Sequence, residues 1–218
     1  MQQPAALITG GAGTLAAALR SALTAAGWLV HAPDRVALDV TSASQVREYF
    51  ARLPRLDLLI NNAGLTRDEL LCTQSPADRD AVFAVSLRGA FLCSRAAVQI
   101  MEPQRAGHII NIGSRSALTG PAGQTAYAAA KAGLAALTKS LAAELGPHNI
   151  RVNTILPGWL ETPMTATVPP ATRSRVLAAH ALGRLNTPAD AARFIVFLHS
   201  MTAVSGQSFS LDSRVAGA

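Results

Sequence analysis

A tyrosine and a lysine four positions apart, Tyr127 and Lys131, are the strongest candidates for a catalytic pair in this sequence. They lie near the start of the alanine- and leucine-rich run QTAYAAAKAGLAALTKSLAAEL, which ends at Gly146-Pro147. Such a run predicts a helix, and residues four apart share one helix face. A lysine beside a tyrosine favours the phenolate and lowers the phenol pKa from about 10. The spacing therefore predicts a tyrosine that exchanges protons near neutral pH.

Ser114 is the third candidate, because it stands thirteen residues before Tyr127 at the end of the run GHIINIGS. That run predicts a strand, which places the serine at the carboxyl edge of a sheet, where ligands bind in open α/β folds. Its hydroxyl would hold a substrate oxygen beside the phenol. Taken singly, each of the three residues also has an ordinary structural interpretation, as a core tyrosine, a solvated lysine and a turn serine.

The elements that must position these residues alternate regularly between strand and helix. Strands are predicted at 5–9, 28–32, 56–64, 107–114, 150–158 and 206–213, and helices at 14–27, 42–53, 76–101, 124–145 and 188–200. Such alternation predicts an α/β fold, a Rossmann-like doubly wound parallel sheet with helices on both faces.

One connection is too short for this fold. Only five residues, HAPDR, separate Val30 from the apolar run VALDV at 36–40, whereas a parallel crossover needs a dozen or more. Either the edge strand that would contain Leu38 is missing, shortened or irregular, or it pairs antiparallel. We therefore predict no helix between residues 31 and 41, so that, counting the edge strand that would contain Leu38 as the third strand, the helix between the second and third strands is missing.

A glycine-rich loop, in the segment ITGGAGTLAAAL, joins the first strand to the first helix. Gly11, Gly13 and Ala16 fit the form Gly-x-Gly-x-x-Gly/Ala, and a strand-loop-helix context is the one that this form requires. Bare backbone lets a pyrophosphate approach the helix N-terminus, whose free N–H groups bind anions. The residues predicted at the cofactor are Gly10, Gly11, Gly13, Thr14 and Leu15. The pattern predicts that residues 1–218 form a single NAD(P)-binding Rossmann-fold domain.

The end of the second strand bears on the choice of cofactor. An acid there bonds the adenosine ribose hydroxyls, and Asp34 is placed for that, which favours NAD. Arg35 beside it would instead meet a 2′-phosphate, which favours NADP. The sequence slightly favours NAD. Asp39 and Val40 are expected at the adenine.

Composition and charge argue against several other functions. The net charge is +6, but the arginines are scattered and aromatic residues make up only 5%, which disfavours a nucleic-acid partner. Cys72 and Cys93 have no metal-ligand or redox spacing, so no metal site is predicted and both are expected to be free thiols. The segment MQQPAALITG has no basic region before an apolar run, and no stretch reaches the roughly 18 uncharged apolar residues of a membrane span. A cytoplasmic protein without a membrane partner is expected.

Five short segments together resemble one family. TGGAGTLA, NNAG, NIGS, YAAAK and PGWLET occur in this order and resemble the short-chain dehydrogenase/reductase family over essentially the whole chain. YAAAKAGL and PGWLETPMT are most similar to the β-ketoacyl-carrier-protein reductases. The resemblance implies an NAD(P)H-dependent oxidoreductase that interconverts a ketone and a secondary alcohol. A 3-oxoacyl thioester is the ketone that the resemblance favours.

The resemblance also implies a role for each residue of the site. Tyr127 would protonate the carbonyl oxygen or deprotonate the alcohol, Ser114 would orient that oxygen, and Lys131 would hold the nicotinamide ribose and depress the tyrosine pKa. The residues implied at the adenosine side of the cofactor are Asn61, Ala63 and Gly64, and those implied at the nicotinamide are Pro157, Gly158, Leu160 and Thr162. Residues from about 163 to 182 would form a mobile substrate lid.

The chain departs from the family pattern at several points. Thr14 and Ala16 stand where the usual loop has glycines, and the connection at 31–35 lacks a helix. Ser86 stands where many members have an asparagine that holds a water for proton delivery. Ser86 is a candidate for this catalytic role, but proton delivery to Tyr127 and Lys131 is expected to be slower or rerouted. An alternative interpretation is therefore a catalytically impaired member of this fold that acts as a binding or subunit partner.

The partners implied by the resemblance are an acyl carrier protein and further copies of this chain. Arg105 and His148 hold the positions where an acidic carrier docks in carrier-protein reductases, although ordinary surface charges are the alternative. A tetramer or dimer is expected through small-residue faces at 87–97 and 128–143, which suit close packing of helices.

Overall fold

Six parallel strands form the centre of the fold in the computed structural model, which describes residues 3–215. The strands are β1 (Ala5–Ile8), β2 (Leu29–His31), β3 (Leu58–Asn61), β4 (Gly107–Ile112), β5 (Ile150–Leu156) and β6 (Ser208–Ser210), in the sheet order β2-β1-β3-β4-β5-β6. The predicted doubly wound parallel sheet is thereby confirmed. The chain passes from β1 to β2 and then crosses to the other side of β1 for β3. The order therefore reverses between β1 and β3, and ligands bind at the carboxyl ends of strands at such a reversal.

Helices cover both faces of the sheet. They are α1 (Thr14–Ala25), α2 (Ala43–Phe50), α3 (Pro76–Phe83), α4 (Gly89–Gln104), α5 (Ser116–Thr119), α6 (Thr125–Leu145), α7 (Pro163–Ala166), α8 (Pro170–Ala178) and α9 (Pro188–Ser200). Side chains of α1 and α9 pack on one face, and side chains of α2, α4 and α6 pack on the other.

The central strands are apolar on both sides because both faces are covered. In β3, Ile60 packs against α1 and α9, whereas Leu59 packs against α2 and α4. Successive strand residues point to opposite faces, so both of these side chains are fully buried. This explains why the run LDLLIN has no polar alternation.

The short connection after β2 contains no helix between residues 31 and 41, as the sequence predicts. The run VALDV forms no strand either, which settles the open alternatives in favour of a missing edge strand. Asp34 closes a turn instead, since its side chain accepts the N–H of Ala37 at 2.9 Å and its carbonyl accepts that of Leu38 at 2.9 Å. Leu38 and Val40 still enter the core beside α2, so their apolar character serves packing and not sheet pairing.

The predicted long helix is continuous over Pro76–Gln104, with a π-helical turn at Ala84–Arg88 between α3 and α4. By length and composition this helix would also be able to cross a membrane. Cys93, Ala97 and Met101 are fully buried in the cluster that covers the sheet, so one face of this helix belongs to the core.

A polar cluster is buried at the amino end of the sheet, away from the expected ligand crevice. His108 of β4 shares a 3.0 Å contact with the amide of Asn153, and its ring lies 5.6 Å from that of His199, which stacks edge-on against Trp28. Burial, and then the charge of Arg151, lowers the pKa of His108 well below 6.5 and that of His199 to about 4. Both histidines are therefore neutral in the folded protein at neutral pH.

These two histidines are expected to make the fold sensitive to acid. The unfolded chain protonates them at about pH 6.5, whereas the folded chain resists protonation to much lower pH. The unfolded state then binds more protons, so the free energy of unfolding should fall by about 1 kcal/mol per pH unit for each histidine, about 2 kcal/mol per pH unit for both, as the pH drops from 6.5 to 5. Urea unfolding at several pH values measures this slope. A slope that is the same in His199→Gln as in wild type would contradict the prediction, and His148→Gln, at a partly exposed histidine, is the control.

Candidate active site

Three loops meet where the strand order reverses. Gly10, after β1, lies against Ala63, after β3, because a Cβ on the glycine would be 3.0 Å from the alanine Cα. A Cβ on Gly64 would be 3.5 Å from Nζ of Lys131. That Nζ in turn donates to the carbonyl of Ile112 at the end of β4, at 2.7 Å. The glycine loop, the NNAG segment and the lysine therefore border one crevice.

The glycine loop has the backbone form that a close approach of phosphate needs. Gly10 has a φ of 67°, in the left-handed region that favours glycine. A Cβ on Gly11 would lie 2.0 Å from the carbonyl oxygen of Ala32, so only glycine fits between β1 and the connection after β2. Gly13 precedes α1 with no side-chain cap, and the first turn of α1 carries no acidic residue.

These features fit a dinucleotide. The first N–H groups of a helix have no partner within it, and α1 has no side chain that occupies them, so its N-terminus can bind a pyrophosphate. Thr14 is exposed there, whereas the side chain of Leu15 is in the core and only its backbone can approach a ligand. The Lys131 ammonium is buried with one hydrogen-bond partner among the described residues, so it has donors free for ribose hydroxyls.

The predicted adenosine-side residues after β2 lie close to the glycine loop, since Gly11 donates to the carbonyl of Pro33 at 2.7 Å. Asp34 and Arg35 are exposed next to it. Asp39 is engaged by Thr41, whose N–H and hydroxyl it accepts at 2.9 and 2.7 Å, and these bonds are the main cause of its lowered pKa.

Val40 lies deeper than the sequence predicts. It is 6% exposed, and a Cβ on Gly89 would come within 2.7 Å of its Cγ2. Its side chain therefore packs against the start of α4. Asp39 and Val40 at the adenine stay a prediction.

The two asparagines of the NNAG segment make structural hydrogen bonds that the sequence did not predict. The buried amide of Asn61 donates to Asn111 at 2.9 Å and to Ser94 at 3.0 Å, so it ties β3 to β4 and α4. Asn62, which the sequence analysis did not single out, donates to the carbonyl of Thr9 at 2.9 Å. The Thr9 hydroxyl accepts the N–H groups of Asn62 and Ala63, each at 3.0 Å. The sequence signals that could have predicted this link are the second asparagine of NNAG and the threonine before the glycines.

Ser114 lies at the start of a hydrogen-bond chain that reaches the surface. Its hydroxyl donates to Ser116 at 3.2 Å, Ser116 donates to the side-chain carbonyl of Gln124 at 2.7 Å, and Gln124 donates to the exposed Asp68 at 2.6 Å. Because the Gln124 amide is held by an acid, the donor directions along the chain are set. Ser114 is thereby oriented between β4 and α6.

Tyr127 and Lys131 share a face of α6, with Nζ 5.7 Å from the centre of the tyrosine ring. Burial raises the pKa of Tyr127 above 10.0, although the Ser114 hydroxyl lowers it and Asp68 raises it further. Burial also lowers the pKa of Lys131 from 10.5 to about 8. The lowered tyrosine pKa predicted from the spacing is therefore not seen in the protein alone, because desolvation of the phenolate outweighs a lysine whose ammonium points to the Ile112 carbonyl.

Ser86 lies in the π-helical turn, and π-turns occur often at functional sites. It is 1% exposed, and its hydroxyl accepts the N–H of Leu65 at 3.1 Å and donates to the Leu65 carbonyl at 3.3 Å. Ser86 therefore fastens the loop after NNAG to the long helix. Its predicted part in proton delivery stays a prediction.

The loop after β5 carries the residues expected at the nicotinamide. Gly158 has a φ of 81°, and a Cβ on it would come within 2.8 Å of the Cβ of Asp212. Asn186 donates to the carbonyl of Pro157 at 2.8 Å, Leu160 is buried, and Thr162 begins α7 with a capping box. Asn186 and Asp212 hold this loop, and neither of them was predicted from the sequence.

Arg105 and His148 are brought together, but at the amino end of the sheet. They directly precede β4 and β5, and the carbonyl of Arg105 accepts the amide of Asn149 at 2.8 Å. His148 pairs with Glu102 at 3.1 Å. A carrier that docked there would face the end of β4 opposite Ser114.

Two glycines of the loop are expected to respond differently to alanine. Gly11→Ala should lower the free energy of unfolding by about 2–4 kcal/mol, since its Cβ would overlap the Ala32 carbonyl. Gly13→Ala should leave stability within about 0.5 kcal/mol, because the nearest atom to its Cβ is 3.4 Å away. It should nevertheless weaken NAD(P)H binding about tenfold by blocking the backbone approach. Urea unfolding and fluorescence titration measure the two effects, and equal losses of stability would contradict the prediction.

Comparison with known proteins agrees with this geometry. A family model described as enoyl-(acyl carrier protein) reductase matches residues 9–213. The chain is 42% identical over 185 residues to a 3-oxoacyl-(acyl-carrier-protein) reductase of Thermotoga maritima, covering 82% of this chain and 75% of the relative. It is 43% identical over 155 residues to the protein of that name from Chlamydia pneumoniae, covering 71% and 62%.

A third relative has a different name. The chain is 45% identical over 157 residues to the (3R)-3-hydroxyacyl-CoA dehydrogenase of Canis lupus familiaris, covering 72% of this chain and 60% of the relative. The match of the family model over almost the whole chain, on the sheet and loops described above, means that this chain belongs to the short-chain dehydrogenase/reductase family of oxidoreductases.

Proposed function

We propose that this chain is an NAD(P)H-dependent ketoreductase that interconverts a 3-oxoacyl thioester and the corresponding 3-hydroxyacyl thioester. The observation that carries the proposal is the placement of Ser114, Tyr127 and the buried Lys131 beside the glycine loop at the carboxyl edge of the sheet. The names of the relatives support this substrate class, because they describe a reductase of 3-oxoacyl substrates and a dehydrogenase of 3-hydroxyacyl substrates.

Each of the three residues has a defined role in the proposed reaction. A bound NADH or NADPH supplies the hydride that the carbonyl carbon accepts. Tyr127 gives its hydroxyl proton to the carbonyl oxygen, and Ser114 holds that oxygen by a hydrogen bond. Lys131 binds the ribose of the cofactor, and its charge then stabilises the tyrosinate that the proton transfer leaves.

The raised pKa of Tyr127 favours reduction at neutral pH. A phenol that stays protonated is ready to donate, whereas alcohol oxidation needs the phenolate as a base. Under this proposal, oxidation speeds up as the pH rises and reduction does not need high pH.

For the cofactor we propose a modest preference for NADH. The exposed carboxylate of Asp34 lies next to the glycine loop, where it would accept ribose hydroxyls and repel a 2′-phosphate. The guanidinium of Arg35, which would favour NADPH, lies 3.6 Å from Asp39. Asp34→Ala is expected to shift the ratio of affinities towards NADPH.

The decisive experiment combines binding with turnover. The purified protein is titrated with NADH and with NADPH by fluorescence, and each cofactor is then tested for oxidation by a 3-oxoacyl thioester and by a simple ketone. Tight binding with thioester-dependent oxidation supports the proposal. Binding without turnover of either ketone favours the alternative of an impaired member that binds a partner, and no binding at millimolar cofactor excludes the ketoreductase.

We further propose that the protein works in the cytoplasm as a homo-oligomer. Phe91 on α4 is 48% exposed, and the small residues at 87–97 and 128–143 suit close packing between helices of two copies. Sedimentation measures the state directly, and a monomer at micromolar concentration would exclude this part of the proposal.

A further inference from the structure

An open cavity of about 330 Å³ lies at the surface between α5, the helix α8 and the segment after β6. Arg115, Arg175 and Arg214 line it together with the hydroxyl-bearing Thr119 and Thr172. Arg115 directly follows Ser114 in the chain. The cavity therefore begins one residue from the proposed catalytic serine.

The cavity carries more positive than negative charge. Three guanidinium groups face one acid, Asp212, whose carboxylate is 2% exposed and lies beneath Arg115 and Arg214. Arg175 donates to the Thr172 hydroxyl at 3.1 Å. Within residues 3–215, no carboxylate comes within 4.0 Å of Arg175. The walls therefore hold a surplus of about two positive charges, which repel one another unless an anion enters.

The two inner arginines are held in place. Arg115 donates to the carbonyl of Arg214 at 2.9 Å, and Nε of Arg214 donates to Asp212 at 2.8 Å. Their side chains are 19% and 14% exposed. Guanidinium groups fixed in this way lose little freedom on binding a planar or tetrahedral anion.

The cavity is also connected to the loop expected at the nicotinamide. Asp212, which orients the two inner arginines, packs against Gly158 so closely that a Cβ there would come within 2.8 Å. The same acid therefore touches the arginines and the loop after β5. The cavity is therefore linked to the loop after β5 through Asp212 and to Ser114 through the neighbouring Arg115.

We propose that this cavity is an anion subsite, which binds a carboxylate or phosphate carried by the substrate beyond its reacting carbonyl. The proposal rests on the proposed ketoreductase function and narrows its substrates to those that carry a negative group on the tail. Arg175 makes the contact that distinguishes an anionic from a neutral group, because no carboxylate in the described residues pairs with it. Arg115 and Arg214 form the fixed wall. Val176 and Ala179 supply the apolar part of the lining.

The first test measures anion binding without turnover. Thermal unfolding is followed with and without 20 mM inorganic phosphate at about constant ionic strength, in wild type, Arg175→Gln and Arg173→Gln. Arg173 is the matched control, since it lies on the same helix but pairs with Glu161. We expect phosphate to raise the Tm of wild type and of the control by about 2 °C or more and to leave that of Arg175→Gln unchanged. An equal shift in all three proteins would overturn the proposal.

The second test measures substrate preference. Three 3-oxoacyl thioesters are compared whose acyl chains end in a carboxylate, a phosphate monoester or a neutral methyl ester. We expect kcat/KM for one of the anions to exceed that for the ester by about tenfold, and this ratio to be lost in Arg175→Gln but kept in Arg173→Gln. The better of the two anions identifies the group. An active enzyme with no preference for either anion would overturn the proposal.

The two tests separate this subsite from the ketoreductase function. If no thioester is reduced but phosphate stabilises wild type and not Arg175→Gln, the proposed function fails and the anion site stands. If thioesters are reduced but neither phosphate binding nor the preference depends on Arg175, the function stands and the subsite fails.

Discussion

Replacing Tyr127 with phenylalanine is expected to lower kcat for ketone reduction about a thousandfold while changing the affinity for NADH or NADPH less than about twofold. The loss is that of one general acid, which contributes a factor of about 10²–10⁴. The ring should stay in place, because it packs against the buried cluster of Val82, Ala126 and Ala130. Steady-state rates and fluorescence titration measure the two quantities.

Tyr49→Phe is the matched control, since Tyr49 is also partly buried and has a pKa raised by burial. It packs in the cluster beneath α2 and α4, and its activity should equal that of wild type. A Tyr127→Phe enzyme that keeps more than a tenth of the wild-type kcat would show that another group protonates the carbonyl oxygen.

Replacing Lys131 with methionine should abolish turnover and yet stabilise the protein alone. The ammonium is 3% exposed with one carbonyl partner, and burial lowers its pKa from 10.5 to about 8. Below pH 8 the folded protein keeps a buried charge, at a cost of up to about 3 kcal/mol. Methionine removes that charge and fills a similar volume, but leaves the Ile112 carbonyl without its donor. We expect a net gain of about 1–2 kcal/mol in the free energy of unfolding at pH 7.

The gain in the free energy of unfolding from Lys131→Met is expected to depend on pH. The lysine pKa is lower in the folded than in the unfolded state, so the destabilisation is complete below about pH 8 and disappears as the pH rises towards 10.5. The gain from Lys131→Met measured by urea unfolding should therefore shrink between pH 8 and pH 10. Lys139→Met, at an exposed position of the same helix, should change neither stability nor activity. A Lys131→Met protein that is less stable than wild type at pH 7 would contradict the account of the buried charge.

Some site residues could be identified before the structure because their geometry is local. The Tyr127–Lys131 spacing places both residues on one face of any helix, and the glycine segment at 10–13 needs only the strand and helix that flank it. The absence of a helix at 31–41 followed from the length of the connection alone, since five residues cannot make a parallel crossover.

Other assignments depended on partners far away in the chain. Asn61 at the cofactor stays a prediction, whereas the role that the structure adds, a hydrogen bond from its amide to Asn111, joins residues fifty positions apart. The supporting roles of Thr9 and Asn62 arise from contacts across two strands, 53 positions apart. No short pattern in the sequence distinguishes a binding asparagine from one that ties strands together.

The alternation of strands and helices, the glycine turn and the order of the proposed catalytic residues could be predicted from the sequence, because hydrophobic periodicity and local spacing act over a few residues. The direction of the Tyr127 pKa shift, the burial of Lys131 and the grouping of Arg115, Arg175 and Arg214 around one cavity could be read only from the folded chain. Desolvation and charge density depend on which distant segments surround a group. The residues proposed for catalysis could therefore be named from the sequence, whereas their electrostatics depend on the fold.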